Sequence, residues 1–302
     1  MDGTPADSPA LYRLTPPYES LEPLSPLVDY PIQPTGPGSG VLWHLAFGRW
    51  SAAFDVIRRR PPGVALLVIL PPKVEVDSTP QLLRVVEACR PHSILPFHPE
   101  PHLDDLTAVL RREPEDLPVE FTDYLLWRGL TLDMDARRLI RKTVEMSLEL
   151  RSVTALARSL YLSRRALGRR FLTRGLPVPS HWLHFGRILR ATLRIQNTNE
   201  TLATAAYQFG YLDAFAFSNQ MYRLTGLRPS DARNLFGWEW LVEAWLQTES
   251  RAGGFSRDHA RTLTAAAQVK LRAKPEDAER TKNPTDPPPR SARRPLTNKA
   301  KP

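Results

Sequence analysis

Cysteine is almost absent. Cys89 stands alone among 302 residues, which excludes an internal disulfide framework and any multi-cysteine metal cluster. No stretch approaches the roughly 20 uninterrupted apolar residues that a membrane-spanning helix needs. The first twenty residues lack the basic and apolar regions of a secretory signal, so a cytoplasmic protein is expected. No Ser/His/Asp set, phosphate loop or acid pair stands out, so neither an enzyme nor a cofactor is expected. His92, His98 and His102 are separated by prolines and have no fourth ligand. They read as surface or core histidines, with no metal. Cys89 reads as a small buried residue.

Lysine is missing from residues 147–237, a segment that carries 13 Arg against four acidic groups for a net +9. The tail 251–302 has 13 Lys and Arg against five acids, net +8, whereas residues 1–146 are net −5. Positive charge concentrated in the C-terminal half points to a polyanion partner; the alternative is a merely solvated arginine-rich surface.

Proline is abundant, with 30 in the chain, and it gathers at the two ends. Residues 1–40 lack apolar periodicity and read as a disordered leader. Residues 251–302 read as a basic, Pro-rich disordered tail, although 258–273 has the pattern of a helix. Between 41 and 130, apolar runs of strand length (Val41–Phe47, Val64–Leu70, Ser93–Phe97) alternate with helical patterns. One of those patterns places Leu82, Leu83, Val86 and Cys89 on a shared face. Fully apolar strands between helices predict a small parallel sheet buried on both faces, an α/β domain of sensor or dimer-forming type. Weakly, it resembles a receiver fragment, but neither Val64–Leu70 nor Ser93–Phe97 ends in the aspartate that phosphorylation needs.

From Asp133 to 250 the pattern is all-α. In 152–171 (SVTALARSLYLSRRALGRRF), Val153, Leu156, Ala157 and Leu160 share one helical face. Ser163 caps a second helix, whose inner face carries Leu167 and Phe171. The arrangement returns 49–50 residues later in TLATAAYQFGYLDAFAFSNQM, with Leu202, Ala205, Ala206 and Phe209, then Gly210, the cap Asp213, and Phe217 and Met221. Trp182, Phe185, Ile188, Leu189, Thr192 and Ile195 keep helical spacing between them. This is a pair of helix-turn-helix units on one connecting helix.

Residues 135–233 resemble the DNA-binding domain of the AraC/XylS family of bacterial transcription regulators. The matching residues are Leu156-Ala157, Ser163, Leu167 and Phe171, then Pro179, Trp182-Leu183, Arg187-Ile188 and Ala191. In the second unit they are Leu202, Ala205-Ala206, Gly210-Tyr211, Asp213, Phe217-Ser218, Gly226, Pro229 and Arg233. Three departures stand out. Tyr161 occupies the usual turn-glycine site, Gly175 comes one residue early, and Phe215 and Asn219 replace a small polar residue and an arginine.

The resemblance implies a sequence-specific, nucleoid-associated regulator that binds double-stranded DNA with two recognition helices. Arg165 and Arg169, then Ala214, Phe215 and Asn219, fall at the family's base-contacting sites. Arg164 and Arg170 are expected on the phosphate backbone, and Phe215 in packing. The first unit is then expected to do most of the reading. RNA polymerase, an unnamed effector and a second subunit stand as open partners. The competing reading is a protein-interaction module with a degenerate helix-turn-helix domain.

Overall fold

The computed structural model describes residues 10–24, 32, 36–45, 50–72 and 79–272. Its sheet has five strands in the order β2-β1-β3-β4-β5. The apolar runs found in the sequence become β3 (Gly40–His44), β4 (Ala65–Ile69) and β5 (Ser93–Leu95), paired in parallel. The helices α1 (Trp50–Arg58) and α2 (Thr79–Ala88) supply the crossovers, which parallel strands require.

The purely parallel sheet needs correction, and so does the disordered leader. Leu11–Leu14 forms β1, antiparallel to β3, and Glu22–Leu24 forms β2 on its outer side. The sheet is therefore mixed. Leu11 is buried on one face of the sheet and Leu14 on the other, as expected for residues an odd number apart on a strand. Such a short strand, flanked by prolines and apolar at only two positions on opposite faces, carries no periodic signal. Tyr18 of the same segment stacks on Phe236, with ring centroids 4.5 Å apart, and accepts the Phe236 N–H at 2.8 Å.

Beneath one face lie Val56, Ile57, Val86 and Cys89; against the other packs α3 (Leu103–Arg111), through Leu106 and Leu110. Val86 and Cys89 are buried as the helical spacing requires, but Leu83 is 40% exposed. The His98 and His102 rings lie near each other, and His92 is buried against Glu239. No group of His, Cys, Asp and Glu fit to hold a metal occurs among the described residues.

The helical region begins earlier than the sequence pattern indicates. Helix α4 (Leu117–Trp127) starts with a capping aspartate, Asp116, and a proline in its first turn. It packs Leu117, Phe121 and Leu125 into the helical core rather than against the sheet. Helix α5 (Met134–Glu145) follows, capped by Asp133. At the other end, α12 (Glu239–Arg251) and α13 (Arg257–Arg272) are both helical. Phe255 and Leu263 are buried in the same core, so residues 251–272 are not tail. The hydrophobic spacing of α13 needs a partner surface, which α12 and the helical core supply. Aromatic rings dominate the core: Phe185 stacks on Trp245 at 4.4 Å, and Trp182 meets Trp245 edge-on at 4.8 Å. Residues 273–302, where the rest of the expected tail falls, lie outside the described residues.

Sheet and helices belong to one compact unit that ends at Arg272. Buried arginines act both within the helical region and across to the sheet. Within it, Arg128, fully buried, donates from Nε and Nη2 to the Glu243 carboxylate at 2.7 and 2.9 Å. Arg60 donates to the carbonyls of Ile57, Val64, Cys89 and Arg90 and lies over the Trp127 ring, joining the sheet layer to α4. Burial lowers the Arg60 pKa to about 10. A buried cation without partners would be very costly; four carbonyls and a ring face offset that cost here.

Candidate nucleic-acid interface

The first unit consists of α6 (Val153–Ser159) and α7 (Arg164–Leu172), the second of α9 (Leu202–Gln208) and α10 (Ala214–Thr225). All four helices begin in the same way. The side-chain oxygens of Ser152, Ser163, Thr201 and Asp213 accept from the backbone N–H three residues on, at 3.2, 3.1, 3.1 and 2.6 Å. Each cap satisfies a donor that an α-helix leaves without a partner, typically for about 1 kcal/mol.

The two units superpose in sequence with one slip. In the first helices the offset is 49: Leu156 and Ala157 correspond to Ala205 and Ala206, and Leu162 N–H bonds to Ala157 as Tyr211 N–H does to Ala206. From the caps Ser163 and Asp213 onward it is 50. The extra residue is in the second turn, where Leu212 projects into solvent with 90% exposure.

Turn geometry explains the departure at Tyr161. Its φ is +56°, matching +75° at Gly210, so both turns use the left-handed conformation. At Gly210 a Cβ would also lie 2.6 Å from Arg151 Nε, so the arginine side chain would have to shift. At Tyr161 the ring is 97% exposed and meets no such obstacle.

Between the units, α8 (Pro179–Asn197) packs against α6, α7, α9 and α10. Trp182, Phe185, Ile188, Leu189, Thr192 and Ile195 are all buried, as their spacing predicts. Two of the arginines shared with the family act inside the domain. Arg187 donates to the Leu150 carbonyl at 2.9 Å and sits over the Tyr211 ring; burial, and then the nearby charge of Arg151, lower its pKa. Arg233 donates to the carbonyls of Ile195, Thr198 and Glu200, closing the C-terminal end of α8. Gly226, at φ +75°, ends α10 by bonding its N–H to Tyr222, and Pro229 opens α11 (Pro229–Ala232). The Gly-Leu-Arg-Pro sequence is thus one helix stop and one helix start.

Outward, the two recognition helices differ in chemistry. Arg164, Arg165, Arg169 and Arg170 of α7 are exposed. Arg170 pairs with Asp135 at 3.3 Å, and Arg174 pairs with Asp133 and Asp135. Arg164, Arg165 and Arg169 form no ion pair among the described residues. On α10, Ala214 is half-buried and Asn219 is exposed. Phe215 is 74% exposed, which corrects the expectation that it packs; the inner face is already filled by Phe217 and Met221. Periodicity marks both inner residues and, because residues two apart on a helix do not share a face, already sets Phe215 away from them.

Among the described residues no helix is long and apolar enough to cross a membrane. A family model described as a helix-turn-helix domain matches residues 156–235. No curated protein and no solved structure matches the chain. The matched stretch starts in α6, contains both turns and α8, and stops after α11, enclosing the double unit. Residues 156–235 are therefore a helix-turn-helix domain of the AraC type, the DNA-binding part of a transcription regulator.

Proposed function

We propose that this regulator binds double-stranded DNA sequence-specifically, with α7 and α10 in successive major-groove segments. The observation that carries the reading is the common register of the two units, which sets Arg165 and Arg169 opposite Phe215 and Asn219 at the same helical positions. Recognition helices read base edges with their N-terminal residues. A connecting helix of 19 residues spans about 28 Å, of the order of one DNA turn. Arg165 and Arg169 present forks that fit O6 and N7 of guanine. Arg164 and Arg170 grip phosphates, Arg170 by exchanging Asp135 for the backbone. The sheet layer serves as a sensor or dimer-forming module.

The exposed apolar surface of the second unit favours the competing reading, a protein-interaction module that has lost DNA readout. A gel-shift series across salt concentrations, on the DNA upstream of the protein's own gene, separates the two. Binding that weakens with salt and survives random competitor supports the regulator. Absence of binding even at low salt overturns it.

A further inference from the structure

Three observations on α10 point the same way. Phe215, Asn219 and Tyr222 stand at i, i+4 and i+7, one helical stripe, and all three are exposed. The corresponding positions of α7 begin with two arginines, Arg165 and Arg169, so the same two places in the register carry opposite chemistry. The ring of Phe215 is exposed although the inner face of its helix is complete, so intramolecular packing does not account for it.

Resting on the reading that both recognition helices enter the major groove, we infer that the operator is chemically bipartite. The segment under α7 contains guanines, while the segment under α10 is an A·T element recognised through a thymine 5-methyl group against Phe215 and an adenine against Asn219. The chemistry of the major groove supports this division. An asparagine amide matches the N6 donor and N7 acceptor of adenine, the thymine methyl is the one apolar group on that surface, and an aromatic ring offers nothing to the O6 and N7 acceptors of guanine. Adjacent A·T pairs present methyl and adenine edges together, so the Phe215–Asn219 pair, one helical turn apart, faces complementary groups on neighbouring pairs.

Selection of bound duplexes from a random pool by the full chain gives the operator, and uracil replacement tests the chemistry because it removes only the methyl group. Expected is a motif with a guanine-containing block and an A·T block about one turn away. Replacing thymine by uracil in the A·T block should then weaken wild-type binding about fourfold per contacted methyl. The same replacement in the guanine block should change nothing, and Phe215→Ala should bind the thymine and uracil duplexes equally. If a bipartite motif emerges but its second block has no A·T preference, or uracil binds as well as thymine, the inference falls while the regulator reading stands; a protein partner then covers Phe215. If no motif is enriched, both fall. The uracil comparison uses the unmodified protein, so misfolding of a variant does not enter it.

Discussion

His92 and Glu239, 147 residues apart, form a buried ion pair in which the imidazole Nδ1 donates to the carboxylate at 2.9 Å. Its Nε2 faces the Val109 carbonyl at 3.3 Å. An acceptor at each nitrogen favours the protonated ring. The pair joins the residue just before β5 to the first residue of α12, and so ties the sheet to the helical region.

The first prediction follows from this pair and concerns pH. Burial acts to lower the His92 pKa, but the Glu239 charge and hydrogen bond, with the Val109 carbonyl, raise it above its ordinary 6.5. Burial likewise acts to raise Glu239, yet His92 and Arg90 bring it down from 4.5 to about 2. The His92 contribution is whole below about pH 6.5 and fades as pH rises through its raised folded value. The Glu239 contribution is whole above pH 4.5 and fades toward about pH 2. Thermal melting of wild type and His92→Gln should show the widest gap between these limits and a narrowing gap on the alkaline side. A gap independent of pH contradicts the pair. Glu239→Ala, which leaves a buried cation unmatched, should cost about 3–5 kcal/mol.

Opposite effects are expected from exchanging the two turn residues. Tyr161→Gly removes a left-handed strain of roughly 1–2 kcal/mol, offset by the entropy of glycine at about 0.5–1 kcal/mol. Because its ring packs on nothing, the exchange should leave stability equal or raised by about 1 kcal/mol. Gly210→Ala takes on the same strain and a close approach to Arg151, so it should destabilise by at least about 1 kcal/mol. Urea denaturation of the two variants checks both signs.

Two truncations should separate core from tail. Phe255 meets the rings of Trp182 and Trp245, and a buried phenylalanine typically costs about 3–5 kcal/mol when reduced to alanine. A chain ending at residue 250 loses this ring and Leu263 and should unfold well below the full chain. A chain ending at 272 should keep its melting temperature. That shorter deletion removes eight Lys and Arg against four acids, so it should weaken binding to specific and random duplexes alike and flatten the salt dependence. An unchanged salt slope would show that the segment does not contact DNA.

Arginines on α7 should divide by role. Arg169→Ala and Arg165→Ala are expected to relax base preference by about 1–3 kcal/mol at one position each. Arg164→Ala should weaken all duplexes equally and lower the salt slope by about one ion. Binding to single-base operator variants at fixed salt distinguishes them. If Asn219→Ala costs more discrimination than Arg169→Ala, the leading role of the first unit is wrong.

The double unit was legible in the residues themselves because its determinants are local. Capping oxygens, apolar spacing within one helix and a left-handed turn act over three to seven residues, and they recur at an offset of 49 and then 50. The strands β3, β4 and β5 were legible for a similar reason, as uninterrupted apolar runs. What only the tertiary structure decided depends on partners far away. The strand β1 has too few apolar positions to announce itself and exists because β3 offers it an edge. Residues 251–272 look like basic tail until Phe255 finds Trp182 and Trp245. Helix α4 reads as part of the α/β segment until its apolar face chooses the helical core. The exposure of Phe215 is partly of the same kind: helical spacing sets the ring away from Phe217 and Met221, but only the tertiary structure decides that no other element covers it.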